Sequence, residues 1–137
     1  MKIDYPAKVL LAWSEAIKGN ADIRDWLMKN GYPELGLFSF ALRNNDEARE
    51  WLIKNNFPHL MALIRGCEGD PNAILWLRKF KLDTLVYVAR AADNSEEAMT
   101  YLVSKNHLEF ARVAAQMRYV KNTIERDNND VHKISRD

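Results

Sequence analysis

The amino-acid sequence predicts an all-α fold, an α-α superhelix or solenoid of about four helix-turn-helix repeats of period 25 with a leading and a closing helix. Three observations predict it. Trp26, Trp51 and Trp76 stand 25 residues apart, Tyr101 takes the next place, and each is followed by a leucine: Leu27, Leu52, Leu77 and Leu102. Three more columns share the interval: Leu10, Leu35, Leu60, Leu85 and Phe110; Trp13, Phe38, Leu63, Val88 and Val113; Ile17, Leu42, Cys67, Ala92 and Met117. Within one unit these positions have the i, i+3, i+7 spacing of a single helix face. Turn and capping residues punctuate the apolar stretches at matching places.

The leading helix is expected at about 6–18, with Leu10, Trp13 and Ile17 on its apolar face and Gly19 at its end. Four helix pairs follow between about 20 and 117. The first helix of each pair is carried by Ile23, Trp26 and Leu27, then Ala48, Trp51 and Leu52, then Ala73, Trp76 and Leu77, with the aromatic column placed on the core face. Gly31-Tyr32-Pro33 and Asn56-Phe57-Pro58 are tight breaks, with proline in the first turn of the helix that follows. Asn44 precedes Glu47 by three and Asn94 precedes Glu97 by three, so these asparagines are expected as caps, beside Asp70-Pro71. Acids such as Asp22, Asp46 and Glu96 open helices, and Lys29, Lys54, Lys79 and Lys105 close them, as the helix dipole favours. A closing helix is expected near 119–127, and the polar stretch 128–137 as a frayed tail, so that 1–127 forms one domain. Short helix pairs cannot bury an apolar face alone, so they stack and share one elongated core in a short curved rod.

Composition agrees with a folded chain. Hydrophobic residues make up 47% of the 137 and charged residues 28%, too apolar for disorder. Twenty basic residues against nineteen acidic ones leave a formal charge of +1, which supplies no global field for nucleic acid or an anionic membrane. Cys67 is the only cysteine, excluding an internal disulfide. No apolar run has the length of a signal peptide core or a membrane span, so a cytoplasmic protein is expected. Lys8 and Glu15 on the leading helix, and Lys121, Glu125 and Arg126 on the closing one, are expected as polar caps of a monomer.

Ala41-Leu42-Arg43-Asn44-Asn45, continuing through Ala48 to Trp51-Leu52 and Lys54-Asn55, resembles the helix-turn-helix part of an ankyrin repeat. The likeness covers roughly 20–117, in units about eight residues shorter than the ankyrin repeat, without its β-hairpin or its Thr-Pro-Leu-His opening. The resemblance implies binding of a protein partner along a row of exposed side chains.

No catalytic, cofactor-binding or metal-binding residue is assigned, and a non-enzymatic protein is expected. His59, His107 and His132 lack ligand spacing and are expected at surface or cap positions. Cys67 occupies a core column and is expected as a buried, inert thiol. The glycines form no phosphate loop, and Gly36, inside a helix, is expected at a close helix contact. Lys18, Arg43, Glu68, Asp93 and Arg118 form a column of mixed sign, expected as ordinary solvation near turns.

One face is not apolar by column. Leu37, Phe40, Arg65, Tyr87, Arg90 and Arg112 fall at aligned places on the second helices, and aromatic and arginine side chains are what binding hot spots favour. This face is expected to bind a protein or peptide partner with an acidic component, in a scaffold or interaction module. The alternative is a nucleic-acid-binding repeat that sets Arg65, Arg90, Arg112 and Arg118 on phosphates.

Overall fold

The computed structural model describes residues 3–136, with side chains through Asn128. Among these residues there are nine α-helices and no strand: α1 (Ala7–Lys18), α2 (Ala21–Lys29), α3 (Pro33–Leu42), α4 (Asp46–Lys54), α5 (Pro58–Cys67), α6 (Pro71–Lys79), α7 (Asp83–Ala92), α8 (Glu96–Ser104) and α9 (Leu108–Arg136). None of the described helices is long and apolar enough to cross a membrane.

Turn chemistry sets the helix boundaries. The backbone is left-handed at Gly19, Asn44, Gly69 and Asn94 after the first four odd-numbered helices, and at Gly31, Asn56, Lys81 and Asn106 after the even-numbered ones. Glycine and asparagine enter that region at least cost. Each even-numbered helix then opens on a side-chain cap: the N–H of Ile23 donates to Asn20, that of Ala48 to Asn45, that of Asn72 to Asp70 and that of Ala98 to Ser95, at 2.9–3.1 Å. The expected caps Asn44 and Asn94 are therefore displaced by one residue. They make the left-handed turn, and Asn45 and Ser95, in extended conformation, do the capping.

Two columns lie in the interior as expected. Trp13, Phe38, Leu63, Val88 and Val113, with Ile17, Leu42, Cys67, Ala92 and Met117, are all buried, and Trp13 meets Phe38 edge-on at 5.0 Å. In the even-numbered helices the buried column is leucine: Leu27, Leu52, Leu77 and Leu102 are fully enclosed. The aromatic column does not face the core. Trp26 is 40% exposed, and Trp51, Trp76 and Tyr101 are half-buried. Neighbouring helix positions point about 100° apart, so Ala48 and Leu52, four apart, define the inward stripe and Trp51 falls at its edge. Gly36 has the expected close contact: a Cβ there would stand 2.5 Å from Met28 Cγ and 3.2 Å from the Arg24 carbonyl oxygen, where α2 crosses α3.

Odd-numbered helices pack in succession, and even-numbered ones lie outside, each against its odd-numbered neighbours and not against one another. The final element departs from expectation. Instead of a separate closing helix near 119–127, one helix runs from Leu108 to Arg136. It packs on α7 and α8, touches α3 and α5, and returns to lie against α1, so the stack closes on itself. Lys121, expected on a polar cap, is buried by this closure. The expected frayed tail lies outside the described side chains, although the backbone is helical to Arg136.

Four of the five residues in the mixed-sign column are structural rather than merely solvated, Lys18 being the exception. Arg43 donates to the Ile17 carbonyl at 2.8 Å, and Arg118 to the Ala91 carbonyl at 2.9 Å, each guanidinium satisfying the open C-terminal end of an adjacent helix. Arg118 also pairs with Glu96 at 2.7 Å, Glu68 with Arg49 at 3.0 Å, and Asp93 with Lys121 at 2.6 Å. At the other edge the Tyr5 hydroxyl donates to Glu34 at 2.7 Å, and burial raises the phenol far above its ordinary range.

Candidate functional site

Because the even-numbered helices do not touch, the outer surface is cut by clefts floored by odd-numbered helices. The first is lined by Leu37 and Phe40 of α3 with Asn45, Glu47, Ala48 and Trp51, and has a volume of about 310 Å³. The central cleft, about 370 Å³, takes Ala62 and Arg65 of α5 with Asp70, Asn72, Ala73 and Trp76, and extends to Ile53, Pro58 and Met61. The third, about 310 Å³, takes Tyr87 and Arg90 of α7 with Ser95, Glu97, Ala98 and Tyr101 among its walls. Residues 37, 62 and 87 are 25 apart, and so are 40, 65 and 90; 45, 70 and 95; 47, 72 and 97; 48, 73 and 98; and 51, 76 and 101. The three clefts are built from the same six positions.

Each position has a physical reason. The buried alanines Ala48, Ala73 and Ala98 let an outer helix seat close to its floor. The capping residue lies at one end of each cleft because it begins the outer helix. The aromatic side chain, at the edge of the buried stripe, forms a wall.

Five of the six residues expected on the binding face line these clefts: Leu37 and Phe40 the first, Arg65 the central, Tyr87 and Arg90 the third. Arg112, exposed on α9, lines none of the three. Chemistry differs along the row. Phe40 is covered by the Arg24 guanidinium, 4.5 Å from its ring centre, and Tyr87 is stacked on Tyr101 at 3.7 Å. In the central cleft Trp76 packs against Phe80 at 4.5 Å and still presents a face to the cavity.

Six of the arginines fall into two groups. Arg43, Arg49 and Arg118 are held by carbonyls and carboxylates. Arg65, Arg90 and Arg112 are exposed and have no ion pair or hydrogen bond among the described residues. Sequence reasoning did not find Ile53, Met61 and Trp76 as parts of the site. The outward column Met28, Ile53, Arg78 and Val103, mostly apolar where a solvated face would be polar, was the signal available.

No group of three or more His, Cys, Asp or Glu side chains among the described residues is arranged to hold a metal ion. His59, expected at a surface or cap position, lies in the first turn of α5 and is fully buried; His107 packs edge-on against Phe110 at 6.4 Å, and the side chain of His132 is outside the described residues. Cys67 is buried, and loss of solvation pushes its thiol up to about 12, the reverse of what a nucleophile needs.

No protein-family model matches the chain, and neither a curated protein nor a solved structure matches it.

Proposed function

We propose that this chain is a non-enzymatic protein–protein interaction module, a helical repeat of 25-residue helix pairs that presents its row of clefts to a protein or peptide partner. The observation that carries this reading is the identity of the six lining positions in all three clefts, with Arg65 and Arg90 left uncommitted at one of them. Side chains that serve only the fold, such as Arg43 and Arg118, are spent on carbonyls of neighbouring helices. Arginines that face solvent beside aromatic walls are the type that interfaces concentrate at their centres. The ankyrin resemblance of the helix-turn-helix stretch fits the same role.

The nucleic-acid alternative has less support. Arg118, one of its four phosphate contacts, is bound to Ala91 and Glu96. The formal charge of +1 supplies no global field for a polyphosphate backbone.

Affinity capture tests the reading, with the wild type beside the double variant Arg65→Glu, Arg90→Glu. The expected result is a protein recovered by the wild type, unaffected by nuclease and lost with the variant, while the helical circular dichroism of the two is the same. Recovery that is identical for both removes this face from consideration.

A further inference from the structure

The chemistry of the partner can be taken further, on the premise that the clefts are a binding face. We infer that the central cleft takes a large apolar side chain from an acidic peptide segment, whose carboxylates pair with Arg65 and Arg90. Of the three clefts, the central one offers the most apolar wall. The Phe40 ring of the first is covered by Arg24, and in the third Tyr87 and Tyr101 stack on each other in a wall that Ser95, Glu97, Thr100 and Ser104 make largely polar. The central cleft has Ile53, Pro58, Met61, Ala62, Ala73 and Trp76 as its apolar lining, with Arg65, Asp70 and Asn72 as the polar remainder.

Part of the apolar wall reaches solvent: Ile53, which lines the cleft, is 52% exposed, and Trp76 beside it is half-buried. Exposed apolar side chains gathered at a cavity of this kind mark a contact site, whereas isolated ones mean nothing. A volume of about 370 Å³ is at the small end of binding pockets, suited to a single large side chain rather than to a helix.

Charge selects the rest of the ligand. Arg65 lines this cleft, and Arg90 holds the equivalent place in the next, on α7, which packs directly against α5. Neither guanidinium has an internal partner. The nearby acids are differently placed: Asp70 accepts the N–H of Asn72 as the cap of α6, and Glu97 lies in the first turn of α8, where the helix dipole favours a negative charge. Carboxylates on a peptide lying across α5 and α7 would meet two unpaired forks, each able to bind in bidentate fashion.

A random peptide library displayed on phage, selected against the full chain, tests this without assuming the ligand. The selected peptides are remade and their affinities measured for wild type, Ile53→Gln, and the Arg65→Glu, Arg90→Glu pair. All three altered residues are exposed, so each variant is expected to fold. Selected sequences are expected to share a large apolar residue beside aspartate or glutamate. Binding should weaken roughly tenfold on Ile53→Gln and by at least that much on the double variant, which should instead prefer the same peptides with lysine at the acidic places. Selection of apolar peptides with no acidic preference, still weakened by Ile53→Gln, would overturn the inference and leave the interaction module standing. Peptides indifferent to all these substitutions, or no binders at all, would overturn both. A dimer of the wild type that dissociates on Ile53→Gln would make a second copy the occupant, and overturn the inference in that direction.

Discussion

Lys121 of α9 donates to the Asp93 carboxylate at the end of α7 across 2.6 Å, with only 10% of the lysine side chain exposed. Beside it the amides of Asn94 and Asn122 bond to each other in both directions, at 3.0 and 3.3 Å. The turn after α7 is thereby fastened to the stretch of α9 that continues towards α1.

A buried ammonium deprived of its carboxylate costs more than the loss of the pair as a whole. Asp93→Ala is expected to destabilise the chain by about 2 kcal/mol, less than a fully enclosed pair would because the carboxylate is partly exposed and Glu125 stands 3.8 Å from the same ammonium, while Lys121→Met is expected to cost under about 1 kcal/mol. Urea unfolding followed by circular dichroism measures both. Equal losses would mean that the lysine turns to water or to Glu125 once Asp93 is gone.

Lys81 has φ 59°, and the equivalent turn residues are glycine or asparagine. An L side chain with an ordinary Cβ pays about 1 kcal/mol or more there, so Lys81→Gly is expected to raise stability by about 0.5 kcal/mol after the added freedom of the unfolded chain. The neighbouring asparagines provide a contrast. Asn45→Ala removes a cap and should cost about 1 kcal/mol, whereas Asn44→Gly should be close to neutral. Thermal melting of the three variants checks the order; an Asn45→Ala variant that melts with the wild type would overturn the cap assignment, and a loss at Asn44→Gly would measure the bond that Arg49 donates to Asn44.

Burial pushes the Cys67 thiol from its ordinary 9.0 up to about 12, so the folded chain holds that proton more tightly than the unfolded one. Its contribution to stability is complete below about pH 9 and is lost as the pH rises towards 12. The gap in urea midpoint between wild type and Cys67→Ala should shift against the wild type over that window, which isolates the thiol from lysine and tyrosine titration. At pH 8 a disulfide reagent should leave the native thiol untouched and modify it only on unfolding. Rapid native modification would show that the column is not sealed.

The clefts were half legible in the sequence. Residues 40, 65 and 90 could be aligned by counting, so Phe40, Arg65 and Arg90 emerged as a set before any helix was placed in space. Ile53 and Met61 did not, because they join the central cleft from α4 and from the first half of α5, across a gap between outer helices that do not touch. The cap displacement has a smaller cause. Asn44 and Asn45 are the same residue type side by side, and only the backbone, at φ 70° for one and φ −75° for the other, decides which side chain reaches the Ala48 N–H.

By itself the sequence determined which stretches are helical, where most of them break, and which columns of the odd-numbered helices point inward. Those properties depend on neighbours within a turn or two: the helical period, proline, glycine and asparagine at breaks, and side-chain caps. Only the tertiary structure decided that the last two expected helices are one, that α9 meets α1, and that Lys121 lies inside rather than on a polar end. Closure depends on one helix, α9, running unbroken from its contacts with α7 and α8 past α5 and α3 to α1, and on the packing of distant elements along that path. No local pattern carries that information.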